Sequence, residues 1–95
     1  QMFELISPIA IKRANLLRIE GNFLEALNQI IYGHLMGGKR TSTLKKVQTY
    51  FQRCKFKNTE FSELTEFIDS HNHAVHLREI QLFVDEAKRR NEKLS

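Results

Sequence analysis

The stretch that decides the fold is IAIKRANLLRIEGNFLEALNQIIYGHLM, residues 9–36. On both sides of Glu20-Gly21-Asn22, small and aliphatic side chains recur at the spacing that a helix imposes. Gly21 suits the left-handed conformation that ends a helix, and Asn22 suits the capping position of the next helix. The stretch therefore predicts two helices joined by a tight turn, packed as an antiparallel hairpin.

The first of these helices is apolar on two sides. Ser7 is expected to cap it and Pro8 to fill its first position, where the missing N–H costs nothing. One stripe consists of Ala10, Ala14 and Leu17, and the other of Ile9, Leu16 and Ile19. Because both stripes would avoid water, we expect this helix to lie between two neighbours.

The rest of the chain predicts two or three more helices. Thr41-Ser42-Thr43 offers caps for a helix over residues 43–53, after the stop at Gly37-Gly38. Asn58 or Thr59 is expected to cap a fourth helix, and a fifth would run from about residue 72 to 93. The prediction is an all-α fold, a compact bundle of four to five helices in one domain over residues 1–95. Gln1, which stands before Met2, is expected to be an addition to the natural sequence.

Composition excludes several classes of protein. Apolar residues make up 41% of the 95 residues and charged residues 27%, which is ordinary for a globular chain. A single proline and four glycines leave little material for an all-β protein. Cys54, the one cysteine, rules out an internal disulfide, and neither a secretory leader nor a membrane-spanning run is recognisable. We therefore expect a cytoplasmic protein that makes no membrane contact.

Charge is distributed unevenly around a net value of +4. No acidic residue occurs from Ala26 to Thr59, whereas seven cations do: Lys39, Arg40, Lys45, Lys46, Arg53, Lys55 and Lys57. Such a segment favours an anionic partner, and a nucleic acid would be bound through Lys39, Arg40, Lys45, Lys46 and Arg53. The alternative is that this segment docks against the protein's own acidic last third.

Residues 9–36 resemble a single helix pair of the tetratricopeptide type. Ala14, Ala26 and Gly33 match the small residues that this family places where its two helices cross, and Gly21-Asn22-Phe23 matches its turn. The resemblance implies two closely packed helix backbones. Arg13 departs from the family's large apolar residue, and the pattern does not recur 34 residues later, so no tandem array is expected.

The same hairpin, together with Arg53-Cys54, is similar to small bacterial regulators of the AraC-negative-regulator and PerC types. Those families share an alanine, leucine, glycine-aromatic and alanine spacing that is followed by an Arg-Cys pair. They also carry a tryptophan in the second helix, and this chain has none. The resemblance implies a regulatory role in transcription control.

Metal binding and catalysis are not expected. His71, His73 and His76 cluster, but no second cysteine or HExxH pattern accompanies them, so buried or capping imidazoles are the favoured interpretation. Cys54 falls at a core position and lacks the sequence signature of a nucleophile. No glycine-rich phosphate loop is present either. We expect a non-enzymatic protein without a cofactor, a metal or a small-molecule substrate.

Surplus apolar residues favour protein contact. Tyr32 and Met36 fall on the polar face of the second helix, and Val75 and Leu82 fall opposite the main stripe of the last one. These four residues predict a homodimer contact or a groove for a partner helix. A regulatory protein that acts by protein–protein contact is the first functional hypothesis, and direct nucleic-acid binding through residues 39–57 is the second.

Overall fold

Helix is the only regular secondary structure in the residues that the computed structural model describes, 2–71 and 77–93, with side chains described for 7–71 and 77–92. The helices are α1 (Met2–Ile19), α2 (Phe23–Met36), α3 (Thr41–Cys54), α4 (Phe61–Asp69) and α5 (Leu77–Lys93). The predicted all-α bundle is confirmed. Within these ranges, no helix is both long and apolar enough to cross a membrane.

The centre of the molecule is α2, which packs against α1, α3 and α5. A helix with neighbours on three sides needs apolar side chains around most of its circumference. The sequence of α2 meets this need, because Leu27, Ile30, Ile31 and Leu35 are fully buried. The core around them is completed from the other helices by Ala14, Val47, Phe51, Leu64, Ile68, Ile80 and Val84.

The hairpin of α1 and α2 is held by a close approach of the two backbones, as predicted. A Cβ added to Gly33 would lie 3.2 Å from the Cβ of Ala10 and 3.3 Å from the carbonyl oxygen of Ser7. Ala14 and Ala26 are fully buried. In the turn, Gly21 has the expected left-handed conformation, with φ +82°. The small residues therefore allow α1 to pack directly onto α2.

The predicted start of α1 at Ser7 is wrong. The helix begins at Met2 and contains Pro8 in its interior. Instead of capping α1, the Ser7 hydroxyl donates a hydrogen bond of 2.8 Å to the carbonyl oxygen of Gly33 in α2. A proline inside a helix removes one backbone hydrogen bond. The hydrogen bond from Ser7 to Gly33 instead holds this turn of α1 against α2.

The prediction that α1 is buried on two sides is also wrong. Ile9, Leu16 and Ile19 are 50%, 60% and 65% exposed. The reason is that α2 is the one neighbour against which α1 packs extensively, since α3 and α5 pack on other sides of α2. We call these three residues the aliphatic row.

The second half of the fold is joined by polar contacts and aromatic rings. Glu60 caps α4, and its N–H donates to the Glu63 carboxylate at 3.0 Å. Asn58, one of the two predicted caps, instead donates its side-chain amide to the carbonyl oxygen of Arg90 at 3.1 Å. Ring contacts join Phe51 to Phe56 and Phe61, and Phe67 to Phe83. The predicted start of the last helix at residue 72 lies outside the described residues.

Candidate functional site

An open groove lies between α1 and α3. Both helices pack on α2, but they make few contacts with each other, so a gap separates them. One part of this gap has a volume of about 560 Å³ and adjoins a second part of about 460 Å³. Its walls are formed by Ser7, Pro8, Ile11, Lys12, Asn15 and Leu16 of α1, by Met36 and Gly37, and by Arg40, Ser42, Thr43, Lys46 and Tyr50. We call it the α1–α3 groove.

The rims of the α1–α3 groove are positively charged. Lys12 stands on the α1 side, and Arg40 and Lys46 stand on the α3 side. None of the described residues that line the groove is acidic. Among the described side chains, none forms an ion pair with these three cations. The groove therefore presents positive potential to any ligand.

The floor of the groove is apolar. Ile11 and Met36 lie along it, and Leu16 stands at its outer edge. Met36 is only 7% exposed, so its predicted place on a polar, exposed face is wrong. Antiparallel packing brings the end of α2 against the Ser7 turn of α1, which covers Met36. Tyr32 is half-buried and packs against the core, so its predicted exposure is also wrong.

A buried histidine supports the α3 wall. His34 is 1% exposed, and its Nδ1 lies 2.6 Å from Oγ1 of Thr43. The Thr43 hydroxyl donates to the carbonyl oxygen of Arg40 at 2.9 Å, so it accepts the proton of His34 Nδ1. Burial, and secondly the charge of Lys39, lowers the pKa of His34. The neutral ring thus ties the end of α2 to the first turn of α3.

The five cations predicted to bind nucleic acid do not form one site. Arg40 and Lys46 line the α1–α3 groove. Lys45 is exposed and lies about 100° around α3 from Lys46, outside the groove. Arg53 is about 20 Å from Arg40 along the helix, in a small depression at the opposite end of α3. Lys39 is exposed in the turn before α3, with φ 58°.

Between the basic segment and the last third of the chain, the described side chains show hydrogen bonds but no ion pair. The backbone N–H of Lys57 donates to the Asn91 side chain at 2.6 Å. The ion pairs of the described side chains lie elsewhere, between Glu63 and Arg90 and between Glu86 and both Arg89 and Arg90. Glu79 lies 3.2 Å from Nε2 of His71. No ion pair among the described side chains therefore supports docking of the basic segment against the acidic last third.

The described histidines and the cysteine each make structural contacts. Nδ1 of His71 bonds to the carbonyl oxygen of Phe67 at 2.7 Å, and its Nε2 lies 3.2 Å from Glu79. The Cys54 thiol donates to the carbonyl oxygen of Phe23 at 3.4 Å, and burial raises its pKa to about 11. No group of three metal-ligating side chains occurs in the part of the chain that the structure describes. His73 and His76 lie outside that part.

The predicted contact residues on the last helix are only partly described. Leu82 is 57% exposed on α5, and Leu77 is 42% exposed. Leu82 is therefore exposed, and its role as a partner contact stays a prediction. Val75, the other residue predicted there, lies outside the described residues. The larger exposed aliphatic surface, the aliphatic row on α1, was missed as a binding surface because its helical periodicity is equally typical of a buried face.

No protein-family model matches this chain, and no significant match is found among curated proteins or solved structures.

Proposed function

We propose that this domain is a non-enzymatic interaction module that binds a partner protein at the α1–α3 groove and the adjoining aliphatic row. The observation that carries the proposal is the row itself: Ile9, Leu16 and Ile19 are each at least half exposed on one helix. Aliphatic side chains aligned in water mark a contact surface, because covering them recovers about 25 cal/mol for each Å² removed from water. The row and the groove share Leu16, so they form one continuous surface.

This surface is favoured over α5 as the main contact. Leu77 and Leu82 are separated by about 140° around α5, so they do not form one stripe. A homodimer, the other predicted contact, is distinguished by the mass of the crosslinked adduct. We further propose that the module regulates by contact, and its similarity to the AraC-negative-regulator and PerC types supports a role in transcription control.

The proposal is tested by site-specific photocrosslinking in cells of the source organism. A photoreactive residue is placed at Leu16, and in a matched control at Lys45, which is exposed on α3 outside the groove. We expect a discrete protein adduct from position 16, weakened by Lys46→Glu, and none from position 45. Equal adducts from both positions, or none from position 16, would show that the groove is not the contact surface. An adduct of twice the chain mass would identify a homodimer.

Direct nucleic-acid binding is the second candidate. It is favoured by one observation: Lys39, Arg40, Lys45 and Lys46 surround the first turns of α3 and form no ion pair with a described side chain. Four phosphate contacts would give a log–log slope of affinity against salt of about −3.6 on duplex DNA. In this case Lys45→Glu and Lys46→Glu should weaken binding equally. A protein partner in the groove should respond to Lys46→Glu alone.

A further inference from the structure

We infer that the occupant of the α1–α3 groove is an acidic amphipathic helix of a partner protein. The inference rests on the proposed function and adds the chemistry of the partner.

Charge complementarity defines the sign of the occupant. Lys12 stands on one rim, Arg40 and Lys46 stand on the other, and no carboxylate among the described side chains lines the groove. A basic or neutral segment would leave these three cations facing each other across the groove without compensation. Carboxylates on both flanks of a ligand would pair with both rims at once.

The apolar floor defines the shape of the occupant. Ile11 and Met36 lie between the two charged rims, and Leu16 adjoins them at the outer edge of the groove. A ligand that fits must carry one central apolar stripe with acids on both sides of it. A helix with apolar residues at i, i+3, i+4 and i+7 has this arrangement, and the grooves between helices commonly receive such helices.

The length of the walls agrees with a short helix. Along α1 the wall runs from Pro8 to Leu16, and along α3 from Arg40 to Tyr50. At 1.5 Å per residue these walls are about 12 and 15 Å long, which corresponds to two or three helical turns of ligand.

A second copy of this chain does not supply the required stripe within the described residues. The apolar faces of α4 and α5 are already buried, through Leu64 and Ile68 and through Ile80 and Val84. Glu63 and Glu86 are held by Arg90. In the described parts of α4 and α5, the apolar faces that such a stripe would need are therefore already covered by the protein's own core.

A nucleic acid fits the groove less well than an acidic helix. Phosphates would pair with the rims but would gain nothing from Ile11, Leu16 and Met36 below them. Lys45 and Arg53, which a phosphate backbone could also use, lie outside the groove.

The test measures binding of synthetic peptides to the full chain by fluorescence anisotropy. The probe is a helix-stabilised peptide of about three turns, with leucines at i, i+3, i+4 and i+7 and glutamates on both flanks. One comparison peptide has the same composition in scrambled order, and another carries lysines in place of the glutamates. A short DNA duplex is the fourth probe.

We expect only the acidic amphipathic peptide to bind. Lys46→Glu should weaken it at least tenfold and Leu16→Asp should abolish it, whereas the neighbouring control Lys45→Glu should change it less than twofold. Leu16, Lys45 and Lys46 are all exposed, so the variants should keep the wild-type circular dichroism spectrum and melting curve.

Three results would overturn the inference: equal binding of the lysine or scrambled peptide, tighter binding of the duplex than of the acidic peptide, or no binding of any peptide. The photocrosslink from position 16 then distinguishes a failure of the inferred partner chemistry from a failure of the proposed contact surface. If it still captures a protein, the groove is a contact surface for a partner of different chemistry. If it captures none, the proposed function fails as well.

Discussion

Cations are used differently in the two halves of this fold. In the α4–α5 half, Arg90 lies 2.7 Å from Glu63 and 3.4 Å from Glu86, so its charge is compensated within the fold. At the α1–α3 groove, Lys12, Arg40 and Lys46 have no such partner among the described side chains. The first arrangement joins two helices of the same chain. The second leaves charge available for a ligand.

The two halves also differ in what holds their helices together. The α1–α2 hairpin depends on shape: a glycine faces an alanine, and one buried hydroxyl bonds to a backbone carbonyl. The α4–α5 half adds ring contacts, ion pairs and side-chain hydrogen bonds to its buried aliphatic residues. A larger side chain at the helix crossing should therefore destabilise the α1–α2 hairpin most. Salt or acid should act instead on the polar contacts of the α4–α5 half.

The largest expected effect comes from Gly33→Leu. The new side chain would project into Ala10 and the Ser7 carbonyl, which lie 3.2 and 3.3 Å from the first added carbon. We expect a loss of about 3 kcal/mol in the free energy of unfolding, because α1 must move away from α2. Urea unfolding measures it, with Gln52→Leu on the exposed face of α3 as the control. Equal stability of Gly33→Leu and the control would contradict close packing of the hairpin.

The next effect is a pH dependence from His34. Its pKa is lowered in the folded state, so below its ordinary value of 6.5 the unfolded chain takes up the proton first. The free energy of unfolding should therefore fall as pH drops below 6.5, by at most about 1.4 kcal/mol per pH unit. His34→Gln should remove this contribution to the pH dependence of the free energy of unfolding, whereas the contribution of the other histidines should remain. Parallel curves for the wild type and His34→Gln would exclude a contribution from this ring.

Ser7→Ala should lower the free energy of unfolding by about 1 kcal/mol, since it removes one buried hydrogen bond to the Gly33 carbonyl. That carbonyl keeps its bond from the Gly37 N–H at 2.9 Å, which limits the cost. A double-mutant cycle sharpens the test, because a Cβ on Gly37 would lie 2.6 Å from Ser7 Oγ. Gly37→Ala should be less destabilising in the Ser7→Ala background than in the wild type. Additive effects would show that the two positions do not touch.

The smallest expected effect is that of Glu63→Gln. The hydrogen bond from Arg90, and then that from the Glu60 N–H, lower the pKa of Glu63. Its contribution is therefore present above the ordinary value of 4.5 and is lost as pH falls through the lowered pKa. Because this pair is exposed, the melting temperature should change little, and less in high salt. A loss as large as that of Gly33→Leu would mean that the α4–α5 half depends on this pair.

Helical periodicity allowed much of the fold to be predicted. The turn at Gly21, the small residues of the α1–α2 crossing and the stop after Met36 follow from local preferences and residue size. The ends of helices were less predictable. Ser7-Pro8 has the composition of a helix start, yet the helix runs through it, because Ser7 bonds across to α2 rather than along α1.

Arg40 and Lys46 of the α1–α3 groove could be selected from sequence as candidates, since the acid-free segment contains them. Lys12 and the aliphatic row could not be selected, because a stripe such as Ile9, Leu16 and Ile19 is equally compatible with burial. Only the number of neighbours of α1 decides between the two. The exposure predicted for Tyr32 and Met36 was wrong because the sequence does not show that α2 has neighbours on three sides.

The sequence by itself determined that the chain is helical, where its hairpin turns and which segment lacks acids, because these depend on local conformation and composition. The tertiary structure alone decided which stripe meets water and which cations share a surface. The physical reason is that a helix has two or three possible faces, and α2 can cover only one face of α1. The groove exists because α1 and α3 pack on α2 and leave a gap between them.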